Sequence, residues 1–206
     1  MPTIRILAAD DHPLLREGVA AVIEAQPDMM LAAEATSGLE AVRLYREHRP
    51  DVVLMDVRMP DMDGIAALAE IRAEFPDARI IVLTTYHGDV QALRAIKAGA
   101  MGYLLKEMLR LELVVAIRTV AAGGRRIPGE VAASLAEYIS GETLTNREVD
   151  VLRLVASGHS NKRVSAELKV SEETIKAHMR SILSKLSAND RTHAVTIALK
   201  RGFIDL

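Results

Sequence analysis

The feature that most constrains the fold is a series of five short apolar segments, each followed by a stretch of helical pattern. These segments are residues 4–8, 29–35, 52–55, 80–83 and 102–105. Most are continuously apolar rather than alternating, which is typical of strands covered on both faces. With right-handed crossovers, such a chain closes most simply as a doubly wound parallel sheet. We therefore predict an α/β domain over residues 3–121.

The rest of the chain has a different pattern and a different charge. Residues 122–142 contain Gly123-Gly124 and Pro128-Gly129, and are predicted to be a linker carrying one short helix. Residues 143–206 show four short helical segments and no strand pattern. From Thr145 to Leu206 there are 11 basic and 7 acidic residues, whereas the remainder has 15 basic and 21 acidic residues. This asymmetry predicts an acidic N-terminal module and a basic C-terminal one.

Composition excludes several classes of site. The chain has no cysteine, which removes disulfides, thiolate metal sites and cysteine nucleophiles. Aromatic residues make up only 3%, which disfavours a single-strand binder built on stacking platforms. No apolar run approaches the ~20 residues of a membrane span, and the N-terminus lacks the features of a signal peptide. We expect a cytoplasmic protein with no membrane partner.

Polar residues stand at the carboxyl ends of four of the predicted strands. They are Asp10, Asp11, Asp56, Thr84 and Lys106. In a parallel sheet these ends share one edge, where ligands bind. A single aspartate after a strand is more often a helix N-cap, but three carboxylates with a hydroxyl and a lysine are harder to explain as caps.

Phosphoryl transfer fits this set of side chains. Clustered carboxylates need a cation, and Mg²⁺ prefers oxygen ligands. A carboxylate can attack phosphorus and carry an acyl phosphate, for which we choose Asp56 at the end of the middle strand. The hydroxyl of Thr84 and the ammonium of Lys106 can then each stabilise one phosphoryl oxygen. Asp11 is the preferred direct metal ligand, with Asp10 assisting through water.

Four stretches in this module resemble the receiver domain of bacterial response regulators. They are DDHP (10–13), VLMDVRMPDMDG (53–64), VLTT (82–85) and GAMGYLLK (99–106). The resemblance implies a flavodoxin-like fold and phosphorylation of Asp56 by a sensor histidine kinase. It also implies that the Arg58 carbonyl is a further metal ligand beside Asp10, Asp11 and Asp56. Thr84 and Tyr103 become the switch pair, although Tyr103 can also be explained as filling the core.

The C-terminal module has the pattern of a helix-turn-helix. A capping box at Thr145 and Glu148 starts the first helix, and Ser160 and Ser171 can cap the next two. In the third helix, Ile175, Met179, Ile182, Leu183 and Leu186 form one apolar stripe. Basic and small residues lie away from that stripe, as they do on a helix that enters a DNA major groove. On spacing alone, an ordinary small helical bundle explains the pattern equally well.

Three stretches of this module resemble the LuxR-type domain of NarL/FixJ response regulators. They are LTNREVDVL (144–152), ASGHSNK (156–162) and SEETIKAHMRSILSKL (171–186). The resemblance implies that Lys176, Ala177 and Arg180 face bases, and that Thr174, His178 and Lys185 lie near phosphates. Val195 and Leu199, in the fourth helix, become candidates for a dimer contact. Asn146, Arg163, Lys169 and Ala177 depart from the usual family pattern, which leaves the preferred DNA sequence open.

Together these features predict a transcriptional response regulator and not an enzyme. Mg²⁺-dependent phosphorylation of Asp56 is expected to promote a homodimer that binds double-stranded promoter DNA and acts on RNA polymerase. A phosphatase of the haloacid dehalogenase type is an alternative, but its usual Asp-x-Asp nucleophile pattern after the first strand is missing. A DNA-binding regulator that does not use phosphorylation is the other alternative.

Overall fold

The computed structural model describes residues 3–85, 89–127, 129, 132 and 144–204, which form two compact units. The first unit is built on five parallel strands in the order β2-β1-β3-β4-β5. The strands are β1 (Ile4–Ala9), β2 (Met29–Ala35), β3 (Val52–Asp56), β4 (Ile80–Thr84) and β5 (Gly102–Leu105). The predicted doubly wound parallel sheet is thus confirmed.

Helices follow the strands in the predicted alternation. They are α1 (Pro13–Glu24), α2 (Gly38–His48), α3 (Gly64–Glu74), α4 (Asp89–Lys97) and α5 (Leu109–Ala121), with a 3₁₀ turn over Lys106–Met108 before α5. α1 and α5 bury their apolar sides in one cluster against the sheet, where Ile23 and Ile117 are fully buried beside Leu54. α2 and α3 pack against each other and onto β2 and β3 respectively. Helices on both faces explain why the strands are apolar throughout.

Two strands extend one residue beyond their apolar runs. Asp56 pairs in register with Leu83, and Thr84 pairs with Leu105, so each polar residue ends a strand rather than beginning a loop. β1 lies between β2 and β3, and the order of connection reverses between β1 and β3. This reversal creates the crevice in which doubly wound sheets bind ligands.

The second unit contains four described helices that pack around one apolar core. They are α6 (Asn146–Ala156), α7 (Asn161–Leu168), α8 (Glu172–Lys185) and α9 (Arg191–Arg201). Thr145, Ser160 and Ser171 cap the first three helices as predicted, each accepting a hydrogen bond from a backbone N–H. Lys169, which follows the last residue of α7, has the left-handed conformation, and α8 begins three residues later. This is the predicted helix-turn-helix.

The linker helix predicted within residues 122–142 falls in a stretch of which only 122–127, 129 and 132 are described, so it stays a prediction. Within that stretch, Arg126 forms a short parallel bridge with the outer edge of β5. Its N–H donates to the carbonyl of Met101, and its carbonyl accepts from the N–H of Tyr103, both at 2.9 Å. No helix of the described ranges is long and apolar enough to cross a bilayer.

Candidate phosphorylation site and DNA interface

The predicted acidic residues meet at the carboxyl edge of the sheet. Asp10 follows β1 and Asp56 ends β3, and both are buried. Lys106, directly after β5, places its ammonium 2.7 Å from Oδ2 of Asp10 and 2.8 Å from Oδ2 of Asp56. The ammonium of the half-buried Lys106 therefore bridges the two buried carboxylates on either side of the sheet's reversal point.

Burial and charge oppose each other in this cluster. Burial raises the pKa of Asp56, and the nearby Asp10 raises it too, while Lys106 and the backbone N–H of Arg58 lower it. Burial acts in the other direction on Lys106, but hydrogen bonds from its ammonium to Asp10 and Asp56 prevail and raise its pKa. Lys106 thus stays charged and holds two carboxylates that would otherwise repel each other.

Asp11 and His12 line the exposed side of the cluster. Nδ1 of His12 lies 2.7 Å from Oδ1 of Asp11 and 3.1 Å from Oδ1 of Asp10, and its backbone N–H donates to the same Asp10 oxygen. One ligand atom from each of Asp10, Asp11, His12 and Asp56 lies within 4.8 Å of the others. Sequence reasoning did not include His12, although its position directly after the acidic pair was a usable signal.

Close backbone packing holds Asp56 in place. The N–H of Gly64, the first residue of α3, donates to the carbonyl of Val57 at 2.9 Å. A Cβ at Gly64 would lie 1.8 Å from the carbonyl oxygen of Asp56. Asp63 caps α3 by accepting from the N–H of Ala66, which turns the chain from the loop of residues 57–63 into the helix. Only glycine permits this approach of α3 to the end of β3.

Thr84 and Tyr103 lie on neighbouring strands and are both buried. Burial raises the pKa of Tyr103 to about 12, while a side-chain hydrogen bond with Thr84 acts in the opposite direction. The two predicted switch residues are therefore in direct contact, and Tyr103 also contributes to the core.

In the second unit, α8 presents one exposed face with the predicted base-contacting residues. Lys176, Ala177 and Arg180 are exposed, while Thr174 and His178 are half-buried on one flank. Ile175, Met179 and Ile182 are buried on the opposite side. The separation of faces is the one predicted from the sequence. Val195 and Leu199 of α9 are half-buried against the core of this unit.

Lys185 has a different environment from the other predicted DNA contacts. Its Nζ lies 2.8 Å from Oε2 of Glu148, and its side chain is only 16% exposed. Glu148 also accepts from Ser181 at 2.6 Å and from the backbone N–H of Thr145 at 2.7 Å. Burial alone would raise the pKa of Glu148, but these donors lower it to about 2. The phosphate role of Lys185 stays a prediction, and the contact observed is an internal one.

Arg147 also has a role that sequence reasoning did not identify. Its Nη2 donates to the carbonyl of Leu168 at 2.7 Å, which satisfies the last turn of α7. α6 therefore holds both helices of the helix-turn-helix, α7 through Arg147 and α8 through Glu148. The signal was present only as two adjacent charged residues in the first turn of α6.

Comparison with known families agrees with this geometry. Residues 6–118 match the family described as the response regulator receiver domain, and residues 142–198 match the luxR family of bacterial regulatory proteins. The chain belongs to the LuxR family of two-component response regulators. The predicted resemblance, fold class and function as a two-component regulator with a DNA-binding domain are confirmed.

Curated relatives match this response regulator over nearly their whole length. The transcriptional regulatory protein LiaR of Bacillus subtilis is 41% identical, over 98% of this chain and 100% of that protein. The transcriptional regulatory protein DegU of Brevibacillus brevis is 35% identical, over 98% of this chain and 95% of that protein. Both are named as regulators of transcription.

Solved structures show the same architecture. The response regulator ChrA of a heme-sensing two-component system is 34% identical, covering 99% of this chain and 100% of that one, with a TM-score of 0.59. A LuxR-family response regulator from Aurantimonas sp. SI85-9A1 is 43% identical, covering 67% of this chain and 99% of that one, with a TM-score of 0.63. The RcsB response regulator in complex with DNA is 23% identical, covers 96% of this chain and 98% of that one at a TM-score of 0.73, and supports the fold alone.

Proposed function

We propose that Asp56 accepts a phosphoryl group from a sensor histidine kinase, and that the modified chain dimerises and binds promoter DNA in the cytoplasm. The observation that carries this proposal is the buried contact of Lys106 with both Asp10 and Asp56 at the reversal point of the sheet. A lysine held between two carboxylates can pair with an incoming phosphoryl oxygen without a large rearrangement.

The donor set at this edge fits Mg²⁺. Carboxylate oxygens of Asp10, Asp11 and Asp56 lie close together, and hard oxygen ligands are what Mg²⁺ requires. These three residues and the carbonyl of Arg58 would hold the ion. When bound, Mg²⁺ neutralises the carboxylates and the oxygens of the transferred group.

In the transfer step, a carboxylate oxygen of Asp56 attacks the phosphorus of a phosphohistidine. The new O–P bond forms as the N–P bond breaks, and the imidazole nitrogen leaves with the electron pair and takes up a proton. Lys106 pairs with one phosphoryl oxygen and Thr84 donates its hydroxyl to another. The phosphoryl group adds roughly two negative charges, so the first effect of phosphorylation on the domain is electrostatic.

The contact between Thr84 and Tyr103 supports a route from the phosphoryl group into the core. A phosphoryl oxygen on Asp56 competes for the hydroxyl that now contacts Tyr103. The phosphoryl group thus favours a second arrangement of Thr84 and Tyr103, because it binds the Thr84 hydroxyl better in that arrangement. We expect that arrangement to favour the homodimer, with Val195 and Leu199 contributing to the contact between DNA-binding domains.

The exposed face of α8 supports its role as the recognition helix. Lys176, Ala177 and Arg180 would face base edges, and Thr174, His178 and Lys185 would approach phosphates. Two copies placed about 34 Å apart would read half-sites one helical turn apart. DNA-bound dimers would then act on RNA polymerase.

The first test is the size of the protein in solution, with and without beryllofluoride and Mg²⁺, for the wild type and Asp56→Ala. Beryllofluoride stands in for the aspartyl phosphate. We expect a monomer-to-dimer shift in the wild type only. Labelling with a small phosphodonor and Mg²⁺ gives the second arm, in which Asp56→Asn should take up no phosphoryl group; intact labelling of that variant would defeat the assignment.

The two alternatives give different results in the same assays. Multiple turnover on a phosphomonoester would favour a phosphatase over a regulator. DNA binding that is identical with and without beryllofluoride, in a protein that takes up no phosphoryl group, would favour a regulator that does not use phosphorylation. The close packing of Asp10, Asp56 and Lys106 argues against that last alternative, because a regulator without phosphorylation has no need of it.

A further inference from the structure

Glu173 lies on the exposed face of the recognition helix and has no role in the function proposed above. It is the second residue of α8, and its side chain is 70% exposed. Residues 173, 176, 177 and 180 follow the i, i+3, i+4, i+7 spacing of a single helix face. An acidic residue therefore heads the line of side chains that would face the bases.

Glu173 contacts both basic residues of that face. Its Oε2 lies 3.3 Å from Nζ of Lys176, and its Oε1 lies 3.4 Å from Nη2 of Arg180. The carboxylate thus forms ion pairs with both cations, which would otherwise be free to pair with any phosphate. Such a contact weakens binding to DNA in general, because phosphate contacts supply most of the non-specific affinity.

A carboxylate in the major groove has few partners. It is an acceptor only, so phosphates repel it and the acceptor-rich edges of guanine do not bind it. The donors in the groove are the amino groups of cytosine N4 and adenine N6. Adenine carries the N7 acceptor beside its amino group, whereas cytosine presents its amino donor alone. Cytosine is therefore the base that best fits an exposed glutamate.

We propose that Glu173 is a specificity-determining residue, which accepts a hydrogen bond from a cytosine amino group and keeps Lys176 and Arg180 from pairing with phosphates of non-cognate DNA. This role rests on the proposed placement of α8 in the major groove. Glu173 would then both bind the correct base and weaken binding to other DNA sequences.

Glu172 provides a matched control. It is also exposed, lies in the same first turn of α8 and carries the same charge, so both glutamates favour the helix dipole equally. Its side chain projects about 100° away from that of Glu173 around the helix axis. Replacing either glutamate by glutamine removes one negative charge from the helix N-terminus, but only Glu173→Gln changes the face toward the bases.

The experiment selects binding sites from a pool of randomised duplexes, using the full chain with beryllofluoride and Mg²⁺. The wild type and Glu172→Gln should enrich the same sites, with a cytosine at one position of each half-site. Replacing that cytosine should weaken wild-type binding by about 5- to 150-fold, the usual range for one mismatched base pair in a site. Glu173→Ala, which leaves no acceptor at this place, should lose this preference at that position alone, whereas the amide oxygen of Glu173→Gln can still accept from cytosine. Both Glu173 variants should bind an unselected duplex more tightly than the wild type and Glu172→Gln.

Two results would overturn the role of Glu173, and a third would overturn the proposed function on which that role rests. If Glu173→Ala keeps the cytosine, another residue reads that base. If Glu172→Gln and Glu173→Gln change selection and unselected binding equally, the effect is one of charge at the helix N-terminus. If the wild type enriches no sequence at all, the recognition helix itself is misassigned, and that failure belongs to the proposed function rather than to Glu173.

Discussion

Lys106 and Asp56 form an ion pair across the ends of two strands that are not neighbours in the sheet. Nζ of Lys106 lies 2.8 Å from Oδ2 of Asp56, and β4 separates the two strands that carry them. Thr84 ends the strand between them. A phosphoryl group bound to Asp56 would therefore meet the hydroxyl at the end of the adjacent strand β4 and the ammonium that follows β5, one strand further along the sheet.

Replacing Lys106 by methionine should destabilise the receiver domain at neutral pH. The change leaves Asp10 and Asp56 buried and facing each other without a cation, and breaking a buried pair in this way costs about 3–5 kcal/mol. Urea unfolding at pH 7 measures the loss. Millimolar Mg²⁺ should recover part of it, because the cation replaces the missing ammonium.

The double variant Asp56→Asn/Lys106→Met is the control for this effect. It removes one carboxylate together with the lysine, so its loss should be smaller than that of Lys106→Met alone. The single variant should also gain stability as the pH falls. Its folded state, with a raised carboxyl pKa, binds a proton more readily than the unfolded chain. Equal losses in the two variants would contradict the electrostatic explanation.

Glu148 should make the DNA-binding domain sensitive to acid. Its pKa in the folded state is about 2, against an ordinary value of 4.5. A lowered carboxyl pKa contributes stability above pH 4.5, and that contribution falls as the pH drops from about 4.5 through about 2. The difference corresponds to roughly 3 kcal/mol. Urea unfolding between pH 6 and 2.5 should show this slope in the wild type, and Glu148→Gln should flatten it.

The salt dependence of DNA binding distinguishes an internal role of Lys185 from a phosphate contact. The paired change Glu148→Gln/Lys185→Met removes both charges of the ion pair without leaving a buried charge alone. If the contact with Glu148 is the role of Lys185, the slope of log K against log salt should stay unchanged. A phosphate contact would instead reduce the slope by about 0.9. Lys176→Met, at an exposed position, serves as the comparison.

Gly64→Ala should impair the proposed phosphorylation site, although Gly64 is not one of its residues. A Cβ there would overlap the carbonyl oxygen of Asp56, so α3 must move away or the end of β3 must shift. We expect a loss of about 1–3 kcal/mol in the unfolding free energy, in the range of overpacked cores. Labelling by a small phosphodonor should also slow. Gly18→Ala is the matched control, because its Cβ would meet no atom within 4 Å.

The sequence predicted the strands well because short apolar runs that alternate with helical patterns are typical of strands covered on both faces. Asp56 and Thr84 end β3 and β4 as predicted, whereas β1 extends one residue beyond the predicted segment, to Ala9. α9 begins at Arg191 and is capped by Asp190, which accepts from the backbone N–H of His193; sequence reasoning did not use this signal. Caps are short-range signals, and this one was overlooked.

The site was predictable to the extent that it depends on the shared edge of a parallel sheet. Asp10, Asp56 and Lys106 come together because their strands end on one side. The link between Glu148 and Lys185 was not predictable in this way, because it joins residues 37 positions apart through the packing of α6 against α8. The local sequence pattern around Lys185 does not indicate that it pairs with Glu148, a residue that caps another helix.

The bridge formed by Arg126 has a practical consequence for how a receiver fragment should be cut. β5 is an edge strand, and unpaired backbone groups on an edge invite pairing with another chain. Arg126 satisfies the N–H of Tyr103 and the carbonyl of Met101 on that edge. A fragment ending at residue 121, the predicted domain boundary, would expose both groups and invite self-association. A fragment that ends at residue 127 would keep Arg126 hydrogen-bonded to the edge of β5, and so would be less able to pair with another copy.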